Sequence, residues 1–271
     1  MRNVYEKKRV FNDIQQGVII NGCIAEDYHD VEVFGAIITP RCDIDHCKVS
    51  TIHYLPIVSF EDWLKKDAVK IFQERERRKL LNKLTKLLEQ NKISASILNN
   101  NLTVDDILKA ASGLKPKVLN DFEKDIIEFF SLVEHKYALN AIKNWKDNKS
   151  LIKELIVGNN SAFYLLEDWD NPSKFRIILL REVRRLKFEL ALRLKNGIDE
   201  QSLSIQDWIK NDLSKSNDSS NLYFTIAKIT SPYIEHLLQS FYYNFGRIGV
   251  DDFVDNLDES ILAETNKILN I

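Results

Sequence analysis

Two apolar runs frame what this chain can fold into. Gly35-Ala36-Ile37-Ile38-Thr39, closed by Pro40, and the run from Ser50 to Val58 are both rich in β-branched residues. Runs of that length and composition, bounded by turn formers, read as strands. The polar segment between them carries two of the chain's three cysteines, Cys42 and Cys47, with Asp43, Asp45 and His46. Upstream, the GVIING run starting at Gly17 is another short β-branched stretch, and Val31 to Phe34 leads into Gly35. Residues 10–58 are therefore predicted to form three to five short strands in a small curled or barrel-like sheet. A sheet of that size is marginal alone and needs helices behind it.

The chain then becomes helical. Only 8 Gly and 5 Pro occur in 271 residues, which disfavours a fold made of tight turns. Ser59 with Asp62 three residues on has the spacing of a capping box. The helix it opens is predicted to run to about Glu89, roughly 45 Å at 1.5 Å per residue. Its QERERRKLLNK stretch gives a long charged face, which suits a strut or a partner surface. Thr103 with Asp106 is a second cap, and Gly113 a stop. After Pro116, the spacing of Val118, Leu119, Phe122, Ile126, Phe129 and Phe130 predicts a helix with a buried face. A short helix is expected over 150–157.

Beyond Gly158 the pattern changes. Phe163 and its neighbours, then Phe175 to Leu180, are separated by an acidic turn with Pro172 and predict a β-hairpin. Residues 182–194 fit helix or strand. A helix is expected over 205–213, a loop over 214–221, a helix over 233–245 opened by Pro232, and a last one over 250–269. The fold class is α+β: a small β unit at 1–58, a helical region at 59–158 and a β-plus-helix domain at 159–271.

The balance of 38 basic and 40 acidic residues gives a net charge of −2. No global field calls for nucleic acid or an anionic membrane. No run reaches the ~18 apolar residues of a membrane span, and MRNVYEKKRVFND lacks the apolar stretch of a secretory signal. An odd number of cysteines argues against a disulfide framework. The expectation is a cytoplasmic protein with reduced thiols and no membrane partner. Its abundant Lys, Asn and Ile point to an AT-rich genome, bacterial or phage.

Four candidate sites follow from residue chemistry. Cys23, Cys42, His46, Cys47 and His53 offer the thiolate and imidazole ligands that zinc prefers, four of which would close a tetrahedral site. The alternative is a buried thiol at a strand end, with His46 and Cys47 in an exposed turn. Cys42 beside His46 or His53 is also the minimum for a thiol nucleophile, although Asp43 would raise its pKa. Asp43, Asp45, Glu167, Asp168 and Asp170 are carboxylates of the kind that hold Mg²⁺. Arg75, Arg77 and Arg78, with Lys79, Lys83 and Lys86, and a second group of Arg181, Arg184, Arg185 and Lys187, could track phosphates. Glu74, Glu76 and Glu89 offer the first group helix-surface ion pairs instead. No phosphate-binding P-loop, dinucleotide fingerprint, nucleophile elbow or HExxH helix occurs. No residue stands out as catalytic.

Two resemblances bear on role. The order GVII, polar loop, GAIIT, then IHYLPI resembles the small barrel of the MazF/PemK-type growth-arresting toxins, which cleave mRNA. It implies a barrel-like fold. The loop AEDYHD (residues 25–30) is acidic where those toxins carry a supporting basic residue, so the activity is not carried over. TPRCDI (39–44) and the Ser-Pro-Tyr…His-Leu…Phe…Arg-Ile-Gly segment (231–249) resemble uncharacterised bacterial proteins of mobile-element and phage-defence gene clusters. That implies an intracellular conflict-system role. The expected function is a cytosolic regulatory or adaptor subunit acting through protein partners or a homo-oligomer. The alternative is a nucleic-acid-binding or nuclease effector.

Overall fold

A computed structural model describes residues 5–6, 13–98, 102–134, 145–157, 162–171, 173–215 and 222–245. The strands are β1 (Tyr5–Glu6), β2 (Val18–Ile20), β3 (Phe34–Ile37), β4 (Thr51–Ser59), β5 (Phe163–Glu167), β6 (Phe175–Leu179), β7 (Arg184–Lys187), β8 (Ile198–Asp199), β9 (Leu222–Tyr223) and β10 (Thr225–Ile229). The main sheet has the order β1-β10-β2-β3-β4-β6-β5, with β7 also paired to β4, and every pairing is antiparallel. A separate ribbon joins β8 and β9. The class is α+β, and the N-terminal strands form a curled antiparallel sheet. The curl brings the two end strands close: the Tyr5 hydroxyl donates to the Glu167 carbonyl at 2.6 Å. Strands from residues 163–187 and 225–229 thus lie in the same sheet as those from 18–59.

Pro56 explains how β4 serves two partners on one edge. Its first half pairs with β7 through Tyr54↔Arg184, and its last residues pair with β6 from Ile57↔Ile178. Pro56 falls between these ladders, where no N–H donor is needed toward that side. Opposite it, residues 180–183 leave the sheet between β6 and β7. On the other side β3 runs unbroken past it, with Gly35 facing Pro56. Gly35 is required for a different reason: a Cβ there would lie 2.6 Å from both the Cys23 sulfur and a Tyr54 ring carbon.

Side chains alternate across the sheet. One face presents Val18, Ile20, Ile37, Ile52, Tyr54 and Ile177, among others. It is covered by α2 (Phe60–Trp63), the π-helical turn Leu64–Ala68, the start of α3 (Val69–Gln90), α6 (Trp145–Val157) and α7 (Phe188–Leu194). The other face presents Ile19, Phe34, Leu55, Ile57, Ile178 and Ile229, packed by Trp169 and by α9 (Tyr233–Phe245). The far end of α3 builds its own core. Leu84 and Leu88 meet Ile107 of α4 (Val104–Ala110) and Phe122, Ile126 and Phe129 of α5 (Pro116–Glu134). Only part of the expected strut is solvated; the rest is the spine of this helical cluster.

Local signals are obeyed. The Ser59 hydroxyl accepts the Asp62 N–H at 3.0 Å, and Thr103 and Asp106 form a full capping box. Residues 182–194 resolve into β7 followed directly by α7. The helix expected over 205–213 is shorter, α8 (Ile205–Lys210), because Asn211 and Asp212 are drawn to the edge of β7 and Leu213 pairs with Cys23 instead. The polar segment after Pro40 contains a five-residue helix, α1 (Arg41–Asp45). Most of the loop expected at 214–221, and the helix expected over 250–269, lie outside the described residues.

Candidate functional site

The five proposed metal ligands do not converge. Cys23 is 1% exposed beneath the sheet, its thiol near the carbonyls of Ile20 and Asn21 at 3.9 Å each. Burial pushes that thiol well above its ordinary pKa. Helix α1 buries only Ile44, which turns Cys42 outward, with its thiol 3.6 Å from the Asp43 carboxylate. His46 and His53 are exposed, and Cys47 sits in the turn after α1 at φ 51°. Among the described residues, no three His, Cys, Asp or Glu side chains group to hold a metal. The expected zinc set fails because its members split between the core and two separate surface positions.

The two arginine groups differ. Arg75 bridges α3 to α6 through Glu154 (2.7 Å) and Ser150 (3.0 Å). Arg78 pairs with Glu74 at 2.8 Å, and Arg77 lies 3.6 Å from the same carboxylate and over the Phe129 ring. These guanidinium groups are engaged within the chain. In the second group, Arg184 pairs with Glu182 at 2.5 Å, while Arg181, Arg185 and Lys187 are exposed.

Among the acids, Asp168 is a clasp for the β5–β6 hairpin. One oxygen accepts the N–H groups of Asp170 (2.8 Å) and Asn171 (3.0 Å), and the other takes Arg176 Nε at 2.6 Å. The Arg176 guanidinium rests 4.0 Å from the Trp169 ring centroid and 4.5 Å from that of Phe34. Burial alone would raise the Asp168 pKa, but the two N–H donors and Arg176 outweigh it and hold the carboxyl below its ordinary value. Glu32 is shifted the other way, raised by burial first and then by Asp168 and Asp170.

A cleft of about 380 Å³ opens beside β5. Leu155 and Ile156 of α6 line one side, Pro232, Tyr233 and His236 the other, and Tyr164 and Leu165 the floor. Tyr164 Oη and His236 Nδ1 are 3.0 Å apart, with the histidine tautomer setting which donates. The ladder fixes where the backbone of β5 points. Leu180 N–H bonds Ala162, and Asp168 N–H bonds Lys174. Alternation along an antiparallel strand then turns Leu165 away from β6. Its N–H and C=O have no hydrogen-bond partner among the described residues.

The outer edge of β7 is closed by contrast. Arg185 N–H donates to the Asp212 carboxylate at 2.8 Å, and Asp212 N–H returns to Arg185 O at 2.9 Å. Lys187 N–H donates to Asn211 Oδ1 at 2.5 Å. Sequence reasoning singled out none of Leu165, Asn211 and Asp212 as site residues, and His236 entered only as the histidine of the 231–249 resemblance. The signal for Asn211 and Asp212 is the Asn-Asp pair itself, a turn former placed where a helix stops. Comparison with protein-family profiles, curated proteins and solved structures finds no match.

Proposed function

We propose that this chain is a regulatory or adaptor subunit that works in the bacterial cytoplasm through protein partners. The observation that carries this reading is α8. Ile205 and Ile209 share one face of that helix at i,i+4 spacing and are 76% and 68% exposed. The helix is held by a capping box at Ser204 and Asp207 and by Trp208 edge-on to Tyr223. Single exposed apolar residues are ordinary, whereas a pair presented on an anchored helix suits a partner contact. The setting, phage defence or mobile-element conflict, is supported by the TPRCDI and 231–249 resemblances alone. The test is capture of binding proteins from the native cell with wild type and with an Ile205→Asp/Ile209→Asp variant of unchanged Tm. Loss of the captured protein in the variant is expected; equal capture overturns the reading.

A second reading, a nucleic-acid-binding effector with a toxin-like barrel, is favoured by Arg185 and Lys187, which project from the same side of β7 into solvent. Phosphate contacts would make binding to RNA or DNA fall steeply with salt. Arg185→Glu with Lys187→Glu should abolish it, and an absence of binding at low salt removes this reading.

A further inference from the structure

Leu165 turns an N–H and a C=O that have no partner among the described residues toward a recess rather than open surface. Helix α6 flanks the recess on one face of the sheet and the start of α9 on the other. We infer that it takes an extended peptide segment of a partner protein, added to β5 as a further antiparallel strand. The backbone groups select that chemistry. A neighbouring strand that exchanges both hydrogen bonds with Leu165 satisfies donor and acceptor together, which an apolar side chain alone cannot do.

The walls select the side chains. Those of an added strand fall alternately toward the two faces. On the α6 side they meet Leu155 and Ile156, which favours an apolar residue. On the α9 side they meet Tyr233 and the Tyr164–His236 pair, which favours a polar or aromatic one. The flanking helices also discriminate between occupants. A second copy of this chain would bring its own α6 and α9 to the shared edge and collide, whereas a bare segment fits between them. Tyr5 already occupies the Glu167 carbonyl, so the added strand is anchored at Leu165.

This inference rests on the reading that the chain works through protein partners, and it adds a docking site distinct from α8. The experiment uses the full chain, immobilised, and a display library of random dodecamer peptides, with amide hydrogen exchange as readout. Selected peptides should be apolar at alternate positions and should slow exchange at Leu165. Leu165→Pro removes the outward donor and no ladder donor. Ile156→Lys changes a wall residue that is 65% exposed and so leaves the fold intact. Each should weaken peptide binding at least about tenfold without lowering Tm by more than a few degrees.

Three results overturn the inference: no peptide selected, binding unaffected by both variants, or a Leu165 amide already protected in the free chain, in which case the protein's own chain fills the recess. Peptides that protect α8 and not Leu165 also overturn it while leaving the adaptor reading standing. Peptide binding at Leu165 with equal capture by the α8 variant supports the edge site and removes the α8 argument.

Discussion

Two outer edges of the sheet, those of β7 and β5, are finished differently. At β7, Asn211 and Asp212 supply side-chain and backbone groups that mimic a further strand, and the outward-facing Arg185 and Lys187 amides are paired. At β5, Tyr5 takes one carbonyl, while both outward groups of Leu165 are without a partner among the described residues. Proteins usually blunt an edge strand by covering, charging or shortening it. This chain covers one edge with its own backbone and recesses the other between two helices. The lesson is that an edge can be guarded against unwanted pairing by access alone, which keeps it usable by a segment thin enough to enter.

The strongest way to break this contrast is at the hairpin clasp. Asp168→Ala leaves Arg176 without its carboxylate, and its side chain is only 14% exposed. Loss of one partner of a largely buried pair is expected to cost about 3–5 kcal/mol. A drop in the urea midpoint with faster amide exchange along β5 would show that the open edge is rigid because its turn is clamped. An unchanged midpoint would show that the rings of Trp169 and Phe34 hold Arg176 without it.

A smaller effect compares the edges directly. Lys187→Pro removes a paired donor and leaves Asn211, itself 6% exposed, without its partner. Relative to Lys187→Ala this should cost about 1–3 kcal/mol. The matching pair, Leu165→Pro against Leu165→Ala, should differ by only about 0.5 kcal/mol, because no bond is lost. Equal costs at the two positions would erase the distinction between a sealed and an open edge.

Acid titration sharpens the same point. The folded-state pKa of Asp168 lies below the ordinary 3.8. Its contribution to stability is therefore complete above about pH 4 and is lost as pH falls through the lowered value. Asp168→Asn should flatten that part of the acid limb of the stability curve; an identical limb would assign it to other carboxylates. The smallest expected change is Ile156→Lys, within about 0.5 kcal/mol of wild type by thermal melting.

Local chemistry was legible where the signal and the structure it specifies lie a few residues apart. The caps at Ser59 and Thr103, the start of α5 at Pro116 and the 163–179 hairpin all have this character. Strand β10 was not legible. Thr-Ile-Ala-Lys-Ile carries an alanine and a lysine, and its place between β1 and β2 is decided by partners far away in sequence. Residues 182–194 satisfied both periodicities, and only pairing with β4 separates β7 from α7. The cysteine and histidine cluster misled because closeness in sequence says nothing about direction. A single buried side chain, Ile44, orients α1 and sends Cys42 away from Cys23. The edge groups at Leu165 belong to the backbone and have no side-chain signature to read.

The position of β10 also sets a clock for synthesis. Ile20 pairs with Thr225, so β2 waits for its second neighbour while roughly 200 further residues are made, about 10–40 s at ~5–20 residues per second. Through that interval the nascent chain carries an unfinished sheet, with β2 as its bare margin. A message cut short before codon 225 yields a chain whose sheet stays unfinished for good, and such fragments should be cleared or aggregate far faster than chains cut after β10 has formed.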